Sequence, residues 1–149
     1  MAELQPIEAA LEALLADVAP LSTEQVALDG AAGRVLAEPV TATLDVPPFD
    51  NSAMDGYALR AMDAGKRLPV SQRIAAGSTA RPLAAGTCAR IFTGGQIPPG
   101  ADCVVMQERV TEENGEALIP ADVPEGDNVR LQGRDVRQGD VLINAGERL

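Results

Sequence analysis

Apolar residues near the start of the chain recur at three- and four-residue intervals: Ile7, Leu11, Leu14, Leu15 and Val18. That spacing gathers them on one stripe of a helix and predicts an amphipathic helix over residues 6–18. Pro6 suits a first helical turn, and Pro20 prevents continuation. Residues 1–5 have no evident anchor. A short second helix is expected over residues 31–37, ending before Pro39. From Pro39 onward the helical period gives way to short apolar runs cut by proline and glycine, at Pro69, Gly77, Pro82, Gly86, Pro98, Gly100, Pro120, Gly126, Gly133 and Gly139. Strands are predicted between them, over residues 40–43, 57–59, 70–75, 88–93, 103–110, 116–119, 128–131 and 141–143. Asn114-Gly115 is the best local hairpin signal. Residues 61–66 read as a helical turn. Regular strand spacing predicts a mainly β protein with minor α content, a barrel or coiled sheet rather than a parallel α/β sheet.

Composition narrows the picture. With 149 residues the chain has room for one ordinary core or two small lobes. Aromatic residues are 2% of the chain, so the core is expected to be built from Ala, Val, Leu and Ile. No apolar run reaches the roughly 18 residues of a membrane span. The basic start and small-residue cleavage site of a signal peptide are missing, which makes the cytoplasm the default compartment. A net charge of −10 disfavours binding to nucleic acid or anionic membrane, since both need clustered positive charge. The absence of histidine excludes Ser-His-Asp and Cys-His catalysis and every His-ligated metal site. Cys88 and Cys103 are too few and too far apart for a zinc motif, and each reads as a buried packing residue.

Candidate chemistry concentrates in Leu44-Asp45-Val46-Pro47-Pro48-Phe49-Asp50-Asn51-Ser52-Ala53-Met54-Asp55-Gly56-Tyr57-Ala58. This run holds two of the three aromatic residues, and its aspartates, Asp45, Asp50 and Asp55, recur every five positions. Read blandly, these carboxylates cap turns. Read functionally, Asp55 stands at a loop-to-strand junction. A carboxylate held there with little rotational freedom serves as a general base, a water-positioning group or a metal ligand. Thr93-Gly94-Gly95 follows an apolar strand. Successive glycine amides can curl around an oxyanion, with the Thr93 hydroxyl as a further donor, although most such turns are only turns. It is neither a P-loop nor a dinucleotide fingerprint. Glu108, at the end of an apolar strand, is a weaker candidate. Asn51, Ser52 and Asp55 are expected to form a polar cluster on the exposed face of the lobe, with Phe49 or Tyr57 packed underneath.

The long run resembles the signature of the molybdopterin molybdenumtransferase family, the MoeA proteins and the E domain of gephyrin. Three further stretches agree in order and spacing: Arg90-Ile91-Phe92-Thr93-Gly94-Gly95, then Pro98-Pro99-Gly100-Ala101-Asp102-Cys103-Val104-Val105-Met106-Gln107-Glu108, then Asn128-Val129-Arg130 leading to Gly133-Arg134-Asp135. The resemblance covers essentially the whole chain, which is similar to the N-terminal portion of such a protein. It implies a compact β lobe over residues 45–135, barrel-like or of coiled or bifurcated sheets. That lobe would be inserted in an elongated helix-plus-strand element of residues 1–44 and 136–149, which would mediate homodimerisation. A C-terminal α/β domain would follow.

The activity implied is insertion of molybdenum from molybdate into adenylylated molybdopterin with release of AMP, assisted by Mg2+ held largely by the missing domain. The fragment alone would be inactive. By resemblance Asp55, Thr93 and Asp135 are the catalytic candidates and Asn51, Ser52, Gly94 and Gly95 the substrate-binding ones. Metal ligands are left unassigned. One position departs from the family pattern: Arg134 stands where a glutamate is usual, and Arg130 and Arg134 are then available to pair with Asp127 or Asp135. The other reading of the same residues is a noncatalytic dimerisation or scaffold module.

Overall fold

A computed structural model describes residues 6–19 and 21–149. The unanchored start over residues 1–5 and the stop signal at Pro20 lie outside the described residues. The fold is mainly β with little helix, as the strand spacing predicts. It divides into two compact units, one of the residues up to Pro39 with Asn144–Leu149 and one of Val40–Ile143, so the second is inserted in the first.

In the first unit the predicted helix is α1, Ile7–Leu15, with the Pro6 carbonyl accepting from the Ala10 amide at 3.1 Å. None of its residues is buried: Ile7, Leu11, Leu14 and Leu15 are all exposed, as is Val18 just beyond. The expected second helix over residues 31–37 does not form. Gly33 lies in the left-handed region at φ +78°, which interrupts a right-handed turn. The amides on either side are taken up by the C-terminal segment instead. Gly33 N–H donates to Leu149 O at 2.8 Å, Leu36 N–H to Glu147 O at 2.9 Å, and Leu149 N–H to Arg34 O at 2.9 Å. Seven residues are too few for a self-sustaining helix, so long-range backbone pairing prevails.

The second unit contains three antiparallel or mixed sheets. β1 (Val40–Thr41) pairs with β10 (Val141–Ile143), and β2 (Asn51–Ser52) with β9 (Val129–Arg130), both antiparallel. The main sheet is curled and has six strands in the order β6-β3-β5-β4-β8-β7: Cys103–Met106, Gly56–Leu59, Cys88–Ile91, Arg67–Ile74, Glu116–Leu118 and Thr111–Glu113. Only β4 and β5 run parallel among these neighbours.

Period-two alternation sorts the side chains of β3, β5 and β6 onto two buried faces. Tyr57, Leu59, Cys88, Cys103 and Val105 join one cluster, and Ala58, Ala89, Ile91 and Val104 the other. Both cysteines are fully buried, and burial pushes each thiol pKa up to about 12, which suits the packing role expected of them. Asn114 and Gly115, at φ 54° and 78°, form the expected hairpin between β7 and β8.

Two strand expectations need correction. The single strand over residues 103–110 breaks after Met106 into a 3-10 turn, Gln107–Arg109, closed by the Val110 amide donating to Gln107 O at 3.1 Å. The short strand β2 falls inside a segment that reads as loop, since its pairing partner lies nearly eighty residues away.

Candidate functional site

All three regularly spaced aspartates accept hydrogen bonds from distant segments. Asp45 accepts from the Gln138 amide at 2.8 Å and the Gln132 side chain at 2.7 Å. Asp50 accepts from the Gln132 amide at 2.7 Å. These two tether the signature run to residues 132–138. These are long-range tethers, not the local turn caps of the bland reading.

Asp55 differs in what it faces. Its Oδ1 accepts both the backbone N–H and the hydroxyl of Thr93, each at 2.8 Å, across 38 positions of sequence. Oδ2 makes no hydrogen bond among the described residues, and the residue is only half-buried. The carboxyl is held below its ordinary value, first by the Thr93 amide, then by the Thr93 hydroxyl, with the Arg90 guanidinium adding to the effect. A carboxylate so stabilised is a poor proton acceptor near neutrality and a good fixed anion. The geometry therefore favours positioning over general-base chemistry.

A pH prediction follows from this contact. Because the folded-state pKa is lowered, the stabilisation is present above the unfolded carboxyl value and is lost as pH falls through the folded one. Thr93→Val removes one of the two donors. Its stability deficit against the wild type should be full at neutral pH and should close on acidification below the normal carboxylate range. Denaturant titrations at several pH values check it, and a deficit independent of pH would assign the loss to packing.

The other candidates are placed differently from expectation. Asn51 and Ser52 are buried rather than exposed, because strand pairing puts Asn51 opposite Arg130 and Ser52 opposite Val129. The Ser52 hydroxyl donates to Met54 O at 2.5 Å, and Asn51 Oδ1 is buried without a hydrogen-bond partner among the described residues. Tyr57 does pack underneath, its hydroxyl donating to Glu112, with its pKa raised to about 12 by burial and then by that contact.

The glycine amides do not form an open oxyanion cradle. Gly94 N–H donates to Ser52 O and Gly95 N–H to Phe92 O, each at 2.8 Å, so both are already committed. A Cβ on Gly95 would stand 2.8 Å from Phe92 O and 3.0 Å from Ile74 O, and close backbone approach is what this position requires. Asp135 is exposed and pairs with Arg130 at 2.7 Å; it contacts neither Asp55 nor Thr93. Arg134 takes no part in that pair. Glu108 is exposed at the 3-10 turn, where it accepts from the Gln107 side chain at 3.1 Å.

Among the described residues, no group of three or more His, Cys, Asp and Glu side chains could hold a metal ion. Asp55 and Asp135 have separate partners and do not converge. Among the described residues, no helix is long and apolar enough to cross a membrane.

Sequence reasoning passed over Arg90. It is 8% exposed, and it donates to Gly56 O at 2.9 Å, to Ile91 O at 2.7 Å and to the Gln107 side chain. An arginine within an otherwise apolar strand, two positions from Phe92 and three from Thr93, is the signal that marks it.

An inserted β lobe whose Thr93 turn folds against one aspartate defines a class of domain, and comparison identifies which. The family described as MoeA N-terminal region (domain I and II) matches residues 5–149. The chain belongs to that family. It is 41% identical over 152 residues to the molybdopterin molybdenumtransferase of Synechococcus elongatus, covering 95% of this chain and 38% of that protein. It is 44% identical over 135 residues to the corresponding protein of a Nostoc species, covering 85% and 31%. A crystal structure of the molybdopterin biosynthesis MoeA protein from Pyrococcus horikoshii superposes with a TM-score of 0.86 at 37% identity, covering 99% of this chain and 40% of that one. The chain thus spans about two fifths of these relatives or less.

Proposed function

We propose that this chain is the N-terminal region of a molybdenum cofactor biosynthesis enzyme. The full-length protein would insert molybdenum from molybdate into adenylylated molybdopterin and release AMP. Family membership supports the reaction. The observation that carries the site is the Asp55 carboxylate, held by Thr93 through Oδ1, with Oδ2 making no hydrogen bond among the described residues.

In this reading Asp55 acts as a fixed anionic acceptor that orients a donor of the substrate or an attacking water, and Thr93 sets its direction. Asn51 and Ser52 hold the backbone of the signature run from below, and Gly94 and Gly95 let the Thr93 turn close against it. Asp135 orders Arg130 on the neighbouring β9. Most of the pterin surface, and the ligands of any assisting Mg2+, belong to a C-terminal α/β domain. The net charge of −10 agrees with such a division, since both molybdate and the pterin phosphate are anions. The full-length polypeptide containing this chain should release AMP from adenylylated molybdopterin in the presence of molybdate, whereas the purified 1–149 chain should not. A full-length protein without that activity would overturn the assignment.

The exposed stripe on α1 supports a homodimer. Four large aliphatic side chains on one short helix stand in water, and each is worth roughly 1.5–3 kcal/mol when fully buried. Residues 1–149 should therefore show concentration-dependent dimerisation by sedimentation, and Leu14→Glu should abolish it. A wild-type chain that stays monomeric at its highest soluble concentration would place the dimer contacts elsewhere.

A further inference from the structure

We infer that Arg90 is the positioning residue of the Asp55–Thr93 pair, its guanidinium tying together the three backbone segments that set where those two side chains meet. The inference rests on the reading of Asp55 and Thr93 as site residues and extends it to a group with no contact to substrate. Arg90 lies on β5 directly opposite Tyr57 of β3, and both are buried. One nitrogen, Nη1, donates to Gly56 O at 2.9 Å and to Ile91 O at 2.7 Å. Gly56 follows Asp55, and Ile91 precedes Thr93 by two positions. Nη2 donates to the Gln107 side chain, and the Gln107 backbone amide in turn donates to Asp55 O at 3.0 Å. The guanidinium plane also lies over the rings of Phe92, at 4.4 Å, and Tyr57, at 5.3 Å.

Every one of these partners is a near neighbour of Asp55 or Thr93 in sequence, or holds one of them directly. Arg90 has no carboxylate partner among the described residues, so charge pairing does not explain its burial. A buried cation costs free energy unless its donors are used, and an apolar side chain would cover the two rings as well. Only a planar fork with donors in its plane and open faces can join two strand carbonyls, a turn side chain and two aromatic rings at once. That geometry fixes the spacing between the end of β5 and the start of β3, and with it the two 2.8 Å bonds from Thr93 to Asp55.

Backbone amide hydrogen exchange of the 1–149 chain tests the inference residue by residue. In Arg90→Met, whose side chain still covers Phe92 and Tyr57, the Thr93 amide should exchange about tenfold faster, while Leu68 on β4 and Ala117 on β8 change by less than about twofold. Gln107→Ala, at an exposed position, should accelerate Thr93 about threefold in the same selective way. If Arg90→Met does not fold, that second variant decides. Thr93 exchange unchanged in the folded variant, or acceleration spread evenly over β4 and β8, overturns the positioning role and leaves Arg90 a general core residue. The measurement needs no substrate, so its failure leaves the enzymatic reading standing. Conversely, an inactive full-length enzyme with selective Thr93 acceleration would remove the reaction and keep the clamp.

Discussion

Gly56→Ala should unfold the β lobe or cost it about 4 kcal/mol or more, at the upper end of what one added methyl group can do. An ideal Cβ at this position stands 2.0 Å from the Val105 carbonyl oxygen, 2.8 Å from its carbon and 3.1 Å from Val104 Cγ1. The nearest atoms are backbone of a paired strand, so no side chain can rotate away. The conflict is purely steric, because the φ of Gly56 lies outside the left-handed region. Relief requires β3 and β6 to separate where Gly56 faces Met106 and Tyr57 faces Val105, and both strands are buried in the middle of two packed faces. Urea titration of the 1–149 chain measures the loss. A cost below about 1 kcal/mol would show that the sheet relaxes far more readily than close-packed interiors allow.

Asp55→Asn should reduce molybdenum insertion by the full-length enzyme about 100- to 1,000-fold, the scale on which removal of one preorganised charged group reads out. Asparagine keeps the shape of the side chain and an oxygen that accepts from Thr93, so the fold should survive, with a thermal midpoint lowered by the loss of the charge-assisted part of those bonds. Only the anion is lost. Steady-state AMP release, with circular dichroism and sedimentation as controls, separates the roles. Turnover within a few-fold of wild type, with fold and dimer intact, would instead favour the scaffold reading.

Much of the architecture was legible because it depends on neighbours in sequence. The stripe from Ile7 to Leu15 appears as α1 because three-and-four spacing is a property of a single helix. Asn114-Gly115 forms its hairpin because both residues tolerate positive φ. Val141–Ile143 is a strand with the bounds its apolar run suggests. The failures share a cause as well. Residues 31–37 carry helix-favouring alanines, but the segment 33–36 exchanges backbone hydrogen bonds with residues 146–149 instead. Asn51 and Ser52 look like surface loop residues, yet pairing with Val129 and Arg130 buries them. Both outcomes turn on partners more than seventy-five positions away.

The site divides along the same line. The sequence by itself determined that this chain brings no histidine to the site, that carboxylates and a Thr-Gly-Gly turn are its candidate groups, and that the signature run and the Thr93 turn carry them, because residue type and spacing are local facts. Only the tertiary structure decided that Asp55 alone of the three spaced aspartates meets Thr93, that the glycine amides are already committed, and that Asp135 stands apart with Arg130. It also decided that the buried Arg90 donates to Gly56 O and Ile91 O, next to Asp55 and Phe92 in the chain. The reason is physical: a hydrogen bond spans about 3 Å of space whatever the length of chain between its ends, and strand register, which no local pattern encodes, selects which ends meet.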